Sequence, residues 1–226
     1  MKMKGYQATD VGMLPKQTMS ASWADRSRIL TPDVNLFCWQ RTMDETTQKY
    51  LASRVNEHLF NRSPPPVTMD ISRESLATDI ARLRENWDGR RRRTDADNFW
   101  QDVEELASDF IQFSPSGSGT LTLQVVRKTL CPKFHMDWNY LRLLTTYHGK
   151  GTEWLPEETT NRCCLGTMNE RIVKDRSKVR RLQTFDVGIF KGAHSENQIP
   201  IKGIVHRSPA VEKPEEKRII LRIDLD

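Results

Sequence analysis

The segment Cys131-Pro-Lys-Phe-His135-Met-Asp137 places a histidine and an aspartate two positions apart, directly before a strand-like run. In an extended chain, residues i and i+2 project from the same face, so the imidazole and the carboxylate would point the same way. A second histidine, His206, comes much later, at the end of another apolar run. Two histidines and one carboxylate can bind one face of a divalent metal ion and leave the opposite face open. We therefore predict that His135, Asp137 and His206 bind one metal ion, Fe(II) or alternatively Zn(II).

The character of the chain changes from helical to extended near Gly119. Before this point, apolar residues at helical spacing predict helices over residues 42–60, 72–87 and 94–113, with one strand at 34–39 and a proline-rich connection at 63–67. After it, strand-like runs recur at 121–125, 141–147, 184–190, 199–205 and 217–223. This order predicts an α+β protein, with helices packed on an antiparallel barrel or sandwich.

The predicted domain organisation follows from these patterns. Residues 1–32 are expected to be an irregular tail, residues 33–119 a helical layer with one strand, and residues 120–226 the metal-binding core. We expect residues 33–226 to fold as a single unit.

The last strand-like run carries arginines on one face. Strand alternation places Arg218 and Arg222 with Ile220, opposite Ile219, Leu221 and Ile223. An arginine that points into a core is costly unless an anion meets it, and a dicarboxylate such as 2-oxoglutarate would supply one. Alternatively, Arg218 pairs with Glu215 or Glu216. Arg222 could bind the anion instead, or could pair with Asp224.

Residues around the predicted ligands could complete the site. Alternation within 141–147 puts Thr145 and Tyr147 on one face, where their hydroxyls would reach the cosubstrate, while Arg142 and Thr146 would face the other way. The residues next to Asp137 are expected to line the mouth of the site; they are Trp138, Asn139 and Tyr140. Supporting roles for His148 and Glu153 and zinc ligation by Cys131 are further alternatives. No catalytic residue is predicted beyond the metal ligands.

Residues 135–224 resemble the iron- and 2-oxoglutarate-dependent oxygenases, notably their prolyl-hydroxylase-like branch. The matching blocks are His135-Met-Asp137, Arg142-Leu-Leu-Thr-Thr-Tyr147, Gly151-Thr-Glu153, Phe185-Asp-Val-Gly-Ile-Phe190, His206-Arg-Ser-Pro209 and Lys217-Arg-Ile-Ile-Leu221. This resemblance implies a double-stranded β-helix, a jelly-roll or cupin-like barrel, with the helical layer on its outside. It also implies a dioxygenase that uses Fe(II) and 2-oxoglutarate to hydroxylate a substrate.

Residues 34–224 also resemble an uncharacterised bacterial domain-of-unknown-function family. The shared blocks are Cys131-Pro-Lys-Phe-His-Met-Asp137, Gly149-Lys-Gly-Thr-Glu-Trp-Leu155 and His206-Arg-Ser-Pro209. Genes of that family tend to lie near zinc-homeostasis genes. The resemblance thus keeps open a non-catalytic metal-binding protein of the same fold, involved in zinc homeostasis.

Composition narrows the remaining classes of function. The net charge of +5 and the run Arg90–Arg93 leave a nucleic-acid-associated protein as a second alternative, although no aromatic residues interleave the run. No CxxC pair supports a structural zinc ribbon, and the adjacent Cys163 and Cys164 have no predicted role. Neither a signal peptide nor a membrane span is apparent, so a cytoplasmic protein is expected. The sequence identifies neither the substrate nor the oligomeric state.

Overall fold

A seven-stranded sheet forms the centre of the computed structural model, which describes residues 14–57, 66–89, 93–193, 203–213 and 216–225. Neighbouring strands are antiparallel, except for the first pair, which is parallel. In order across the sheet the strands are β1 (Lys16–Ser20), β2 (Val34–Trp39), β8 (Val187–Lys191), β5 (Leu141–His148), β10 (Arg218–Leu225), β4 (Ser118–Val126) and β3 (Val67–Ser72).

A smaller antiparallel sheet carries the second predicted histidine. Its three strands are β7 (Arg180–Arg181), β6 (Glu153–Leu155) and β9 (Val205–Arg207), with β6 in the centre. His135 extends this sheet through an isolated bridge to His206. Strand pairing among the described residues therefore runs in two separate sheets and does not close into the expected barrel.

Among the described residues, three α-helices precede β4 and bury their apolar faces. They are α1 (Glu45–Glu57), α2 (Leu76–Asp88) and α3 (Asp97–Ile111), and the short α4 (Asn169–Ile172) lies later in the chain. Apolar residues of α1, α2 and α3 share one buried cluster, the first cluster, with Leu121, Leu123 and Leu221 of the large sheet. Within the described part of the chain, no helix has both the length and the apolar character needed to cross a bilayer.

Strand β10 is buried on both faces. Ile219, Leu221 and Ile223 belong to the first cluster, which includes the helices. Ile220 belongs instead to a second cluster that joins Leu144 and Phe190 of the large sheet to Trp154 of the small sheet. We call the space between the two sheets the interior. It is lined by the face of β10 that carries Ile220, opposite the face that packs on the helices.

The structure corrects several predicted elements. Residues 1–32 are not wholly irregular, because β1 and a 3-10 helix at Trp23–Leu30 lie within them. The predicted proline-rich connection at 63–67 is too long at its C-terminal end, because Val67 is the first residue of β3. Residues 63–65 of this connection lie outside the described residues. Both missed strands form edges of the sheet, where backbone hydrogen bonding needs only one neighbour and a clear apolar alternation is not required. Parts of the predicted helix 42–60 and strand 199–205 also lie outside the described residues.

Replacement of Leu221 by Ala tests whether the face of β10 that carries Leu221 is packed against the helices. Leu221 is fully buried, so the truncation should lower the free energy of unfolding by about 2–5 kcal/mol. Leu30→Ala is the matched control, since Leu30 is 47% exposed and its truncation should cost about 0.5 kcal/mol or less. Urea unfolding followed by circular dichroism measures both values. Equal losses would contradict the assigned packing.

Candidate metal centre

Backbone pairing brings the two predicted histidine ligands side by side. The His135 amide donates to the His206 carbonyl at 3.0 Å, and the His206 amide donates back at 2.9 Å. Residues that exchange both bonds in an antiparallel pair stand directly opposite each other and project from the same face. The two imidazole centroids accordingly lie 4.7 Å apart.

Asp137 completes the cluster of possible ligands. Its Oδ2 lies 3.2 Å from His206 Nε2, and its Oδ1 lies 3.6 Å from His135 Nε2. One possible ligand atom from each of the three residues lies within 4.8 Å of the other two. Cys131, an alternative zinc ligand in the sequence analysis, does not belong to this cluster. The structure thus brings together the three residues that the sequence singled out, at a spacing that one metal ion can bridge.

Both imidazoles are oriented by backbone carbonyls. His135 Nδ1 lies 2.9 Å from the Lys133 carbonyl, and His206 Nδ1 lies 3.2 Å from the Ile204 carbonyl. A Nδ1–H that donates to a carbonyl fixes the tautomer and leaves the Nε2 lone pair free for a metal. Two such nitrogens and one carboxylate fit Fe(II) or Zn(II) in chemical type.

Asp137 lies in an ionic network that the sequence did not reveal. Arg142 Nη1 donates to Asp137, and Arg142 Nε donates to Asp224. Asn139 Nδ2 also donates to Asp224, at 3.1 Å. Burial disfavours the Asp137 carboxylate, but hydrogen bonds from His135 and His206 outweigh it and hold its pKa well below the usual range. The Asp137 carboxylate is therefore ionised and held in position.

Arg218 points into the interior from the start of β10. It is 2% exposed, its Nε donates to the Lys150 carbonyl, and its Nη2 lies 3.3 Å from Thr146 Oγ1 and 3.5 Å from Thr152 Oγ1. No carboxylate in the described part of the chain forms an ion pair with it. Burial, reinforced by repulsion from Arg181, lowers the pKa of Arg218 to about 10. The interior thus contains a buried guanidinium that forms no ion pair with a described residue, although the charge of Glu153 partly offsets the effect of burial. Of its two predicted alternative partners, Glu216 pairs with Lys150, and Glu215 lies outside the described residues.

The placement of Thr145 and Tyr147 corrects the sequence prediction. The Tyr147 hydroxyl donates to Asp102 of α3 at 2.6 Å, and its ring packs against Phe99, so Tyr147 faces the helices. Thr145 is fully buried, and strand alternation gives it the same orientation. Thr146, which we expected to face away, is the hydroxyl that lies against Arg218.

The other predicted site residues separate into different environments. Arg222 pairs with Asp224 at 3.0 Å, as the alternative interpretation held. Trp138 is 73% exposed beside Asp137, whereas Asn139 is buried. Tyr140 packs against the first cluster, away from a site mouth.

Residues assigned to supporting or alternative roles also have defined positions. Glu153 is held by Arg181 and by Arg207, the latter at 2.7 Å. Burial, reinforced by the charge of Lys217, lowers the pKa of His148. In the predicted arginine run, Arg90–Arg92 lie outside the described residues.

The model of a family described as "Protein of unknown function (DUF1826)" matches residues 20–224, and the chain belongs to this family. No curated protein sequence matches the chain.

Among solved structures, the chain is similar to the dioxygenase for auxin oxidation 1 from Arabidopsis thaliana, solved in a complex with 2-oxoglutarate. The TM-score is 0.53 at 10% identity, over 94% of this chain and 92% of that chain. It is also similar to the dioxygenase for auxin oxidation from rice, with a TM-score of 0.50 at 10% identity, over 94% and 82% of the two chains. At this identity, the likeness shows a shared fold.

Replacement of Asp137 by Asn should lower the pKa of His135 in the metal-free protein. The hydrogen bond to Asp137 is the largest cause of the raised pKa of His135, because a carboxylate favours the imidazolium form. An amide carries no charge, so the His135 pKa should move down towards its ordinary value. A proton NMR titration of the His135 ring measures the shift. An unchanged pKa would show that Asp137 does not control this imidazole.

Proposed function

We propose that this member of the DUF1826 family is an Fe(II)- and 2-oxoglutarate-dependent oxygenase with a double-stranded β-helix core and helices packed on its outside. One observation carries the proposal: the cluster of His135, Asp137 and His206 and the Arg218 guanidinium, which forms no ion pair with a described residue, face the same interior. The centroids of the His206 and Phe190 rings lie 5.0 Å apart, and Phe190 is a member of the second cluster. Ile220 belongs to the same cluster, and it lies two residues after Arg218 on the same face of β10.

The cluster would hold the metal through one face. His135 and His206 would bind through Nε2, and Asp137 through a carboxylate oxygen, which leaves the opposite face open to other ligands. When Fe(II) and 2-oxoglutarate are bound, they supply the oxygen activation needed to hydroxylate a substrate. Arg142 would keep the Asp137 carboxylate ionised and oriented.

Arg218 would hold the distal carboxylate of 2-oxoglutarate. A guanidinium offers parallel N–H donors that match two carboxylate oxygens, and such a pair is strong where water is excluded. Thr146 and Thr152 add hydroxyl groups next to the same guanidinium. A dianionic cosubstrate would therefore neutralise both the metal and the buried arginine. The Arabidopsis protein of the same fold was solved with 2-oxoglutarate, which supports this choice.

The remaining interior residues would keep water away from the reaction. Trp154, Phe190, Leu144 and Ile220 are all buried between the two sheets. Trp138, exposed beside the ligand Asp137, would contact the substrate at the entrance.

Substitutions of Arg218 test the cosubstrate assignment. Arg218→Ala should weaken 2-oxoglutarate binding by about 30-fold or more, because a charge-assisted bidentate contact is lost. Arg218→Lys should restore only part of the affinity, since lysine keeps the charge but lacks the planar fork. Mn(II) affinity, measured by electron paramagnetic resonance, should stay nearly unchanged. Isothermal titration of 2-oxoglutarate into the Mn(II)-loaded protein gives the cosubstrate affinities.

Arg222→Ala is the matched control, because Arg222 lies on the same strand and already pairs with Asp224. It should leave 2-oxoglutarate affinity within about threefold of the unsubstituted protein, since this arginine is neutralised internally. A loss confined to Arg222→Ala would move the anion site to that residue. Metal binding without 2-oxoglutarate binding in the unsubstituted protein would favour the non-catalytic metal-binding alternative.

A further inference from the structure

Two cationic residues, Arg127 and Lys217, lie one position beyond the paired ends of β4 and β10. The antiparallel register ends with the pair of Arg218 and Val126, and its continuation by one position would bring Lys217 across from Arg127. The charge of Arg127 acts on Lys217, which agrees with this proximity. Val125 and Ile219 both belong to the first cluster, and alternation gives Arg127 and Lys217 the same orientation. Lys217 Nζ donates to the carbonyl of Val55 in α1 at 3.3 Å, which agrees with this placement.

Neither cation is neutralised by an acidic residue in the described part of the chain. Lys217 is only 4% exposed. Arg127 is partly exposed as a residue, but its Nε and Nη2 are buried and have no hydrogen-bond partner among the described residues. These two nitrogens form one edge of the guanidinium, so an entire donor fork is unused.

Glu216, the acidic residue next to Lys217 in the chain, is already engaged elsewhere, and Glu215 lies outside the described residues. Glu216 accepts from Lys150 Nζ at 3.0 Å and from the Glu212 amide at 3.0 Å. Like charges directly opposite on antiparallel strands destabilise the sheet, and their burial increases the cost. Burial, reinforced by the charge of Arg127, accordingly lowers the pKa of Lys217.

We propose that Arg127 and Lys217 form a binding site for a divalent oxyanion, a phosphate or sulfate group. The Nε and Nη2 edge of Arg127 matches two oxygens of such a group, and Lys217 supplies a second positive charge for a third oxygen. Two cations without an acidic partner among the described residues are balanced by a dianion, whereas a monocarboxylate leaves one charge unmatched. The site lies on the opposite face of β10 from Arg218 and does not depend on the metal or on the proposed oxygenase activity.

Titration of the full-length, metal-free protein with inorganic phosphate at constant ionic strength tests this site. Isothermal titration calorimetry should show saturable binding of one phosphate, with acetate binding more weakly. Arg127→Gln and Lys217→Met should each weaken the phosphate affinity by about tenfold or more, and Arg127→Lys should be intermediate because it keeps the charge without the fork. Arg127→Lys also guards against a folding defect in Arg127→Gln, which circular dichroism would reveal.

Two control variants make the result specific. Lys128→Gln removes an exposed charge next to the site and should leave phosphate binding unchanged. Arg218→Gln removes the proposed cosubstrate contact and should also leave it unchanged, which separates this test from that of the oxygenase. The proposal is overturned if the unsubstituted protein binds no phosphate, if Arg127→Gln binds it equally well, or if Arg218→Gln abolishes the binding. Equal affinity for acetate would also overturn the assignment to a dianion.

Discussion

The burial of both faces of β10 is the constraint on which the site depends. One face packs its isoleucines and leucines against the helices, while the other turns Arg218 and Ile220 into the space between the two sheets. Arg218 forms no ion pair with a described residue, and the burial of such a charge costs several kcal/mol, which is the reason for the proposed anionic ligand. The same strand pairs with both β4 and β5, which fixes the position of Arg218 against Thr146.

A short backbone pairing then joins this interior to the candidate ligands. His135 and His206 are far apart in sequence, but their reciprocal amide–carbonyl bonds place them side by side at the edge of the small sheet. Asp137 reaches the same point because it lies two residues beyond His135. The Arg142–Asp224 pair holds that carboxylate from the large sheet, so both sheets position the ligand set.

Much of the site could be predicted from the sequence, because the i, i+2 spacing of His135 and Asp137 restricts their directions in an extended segment. The orientation of β5 could not be predicted from the sequence. All residues from Leu143 to Tyr147 are buried, so alternation defines two faces without indicating which one meets the metal. The Tyr147 hydroxyl donates to Asp102 of α3, which is distant in the sequence, so no local pattern of residues predicts this contact. Edge strands β1 and β3 were missed because their pairing leaves little trace in side-chain patterning.

Anaerobic visible spectroscopy can show whether this chain holds Fe(II) and 2-oxoglutarate together, as we propose. Addition of 2-oxoglutarate to the Fe(II)-loaded protein should produce the weak charge-transfer band of a keto-acid chelated to Fe(II), because the cosubstrate and the three protein ligands would share one ion. The Zn(II)-loaded protein should show no band, since Zn(II) has no redox chemistry. If the Fe(II)-loaded protein also shows no band at saturating 2-oxoglutarate, the chain binds metal without forming the oxygenase centre.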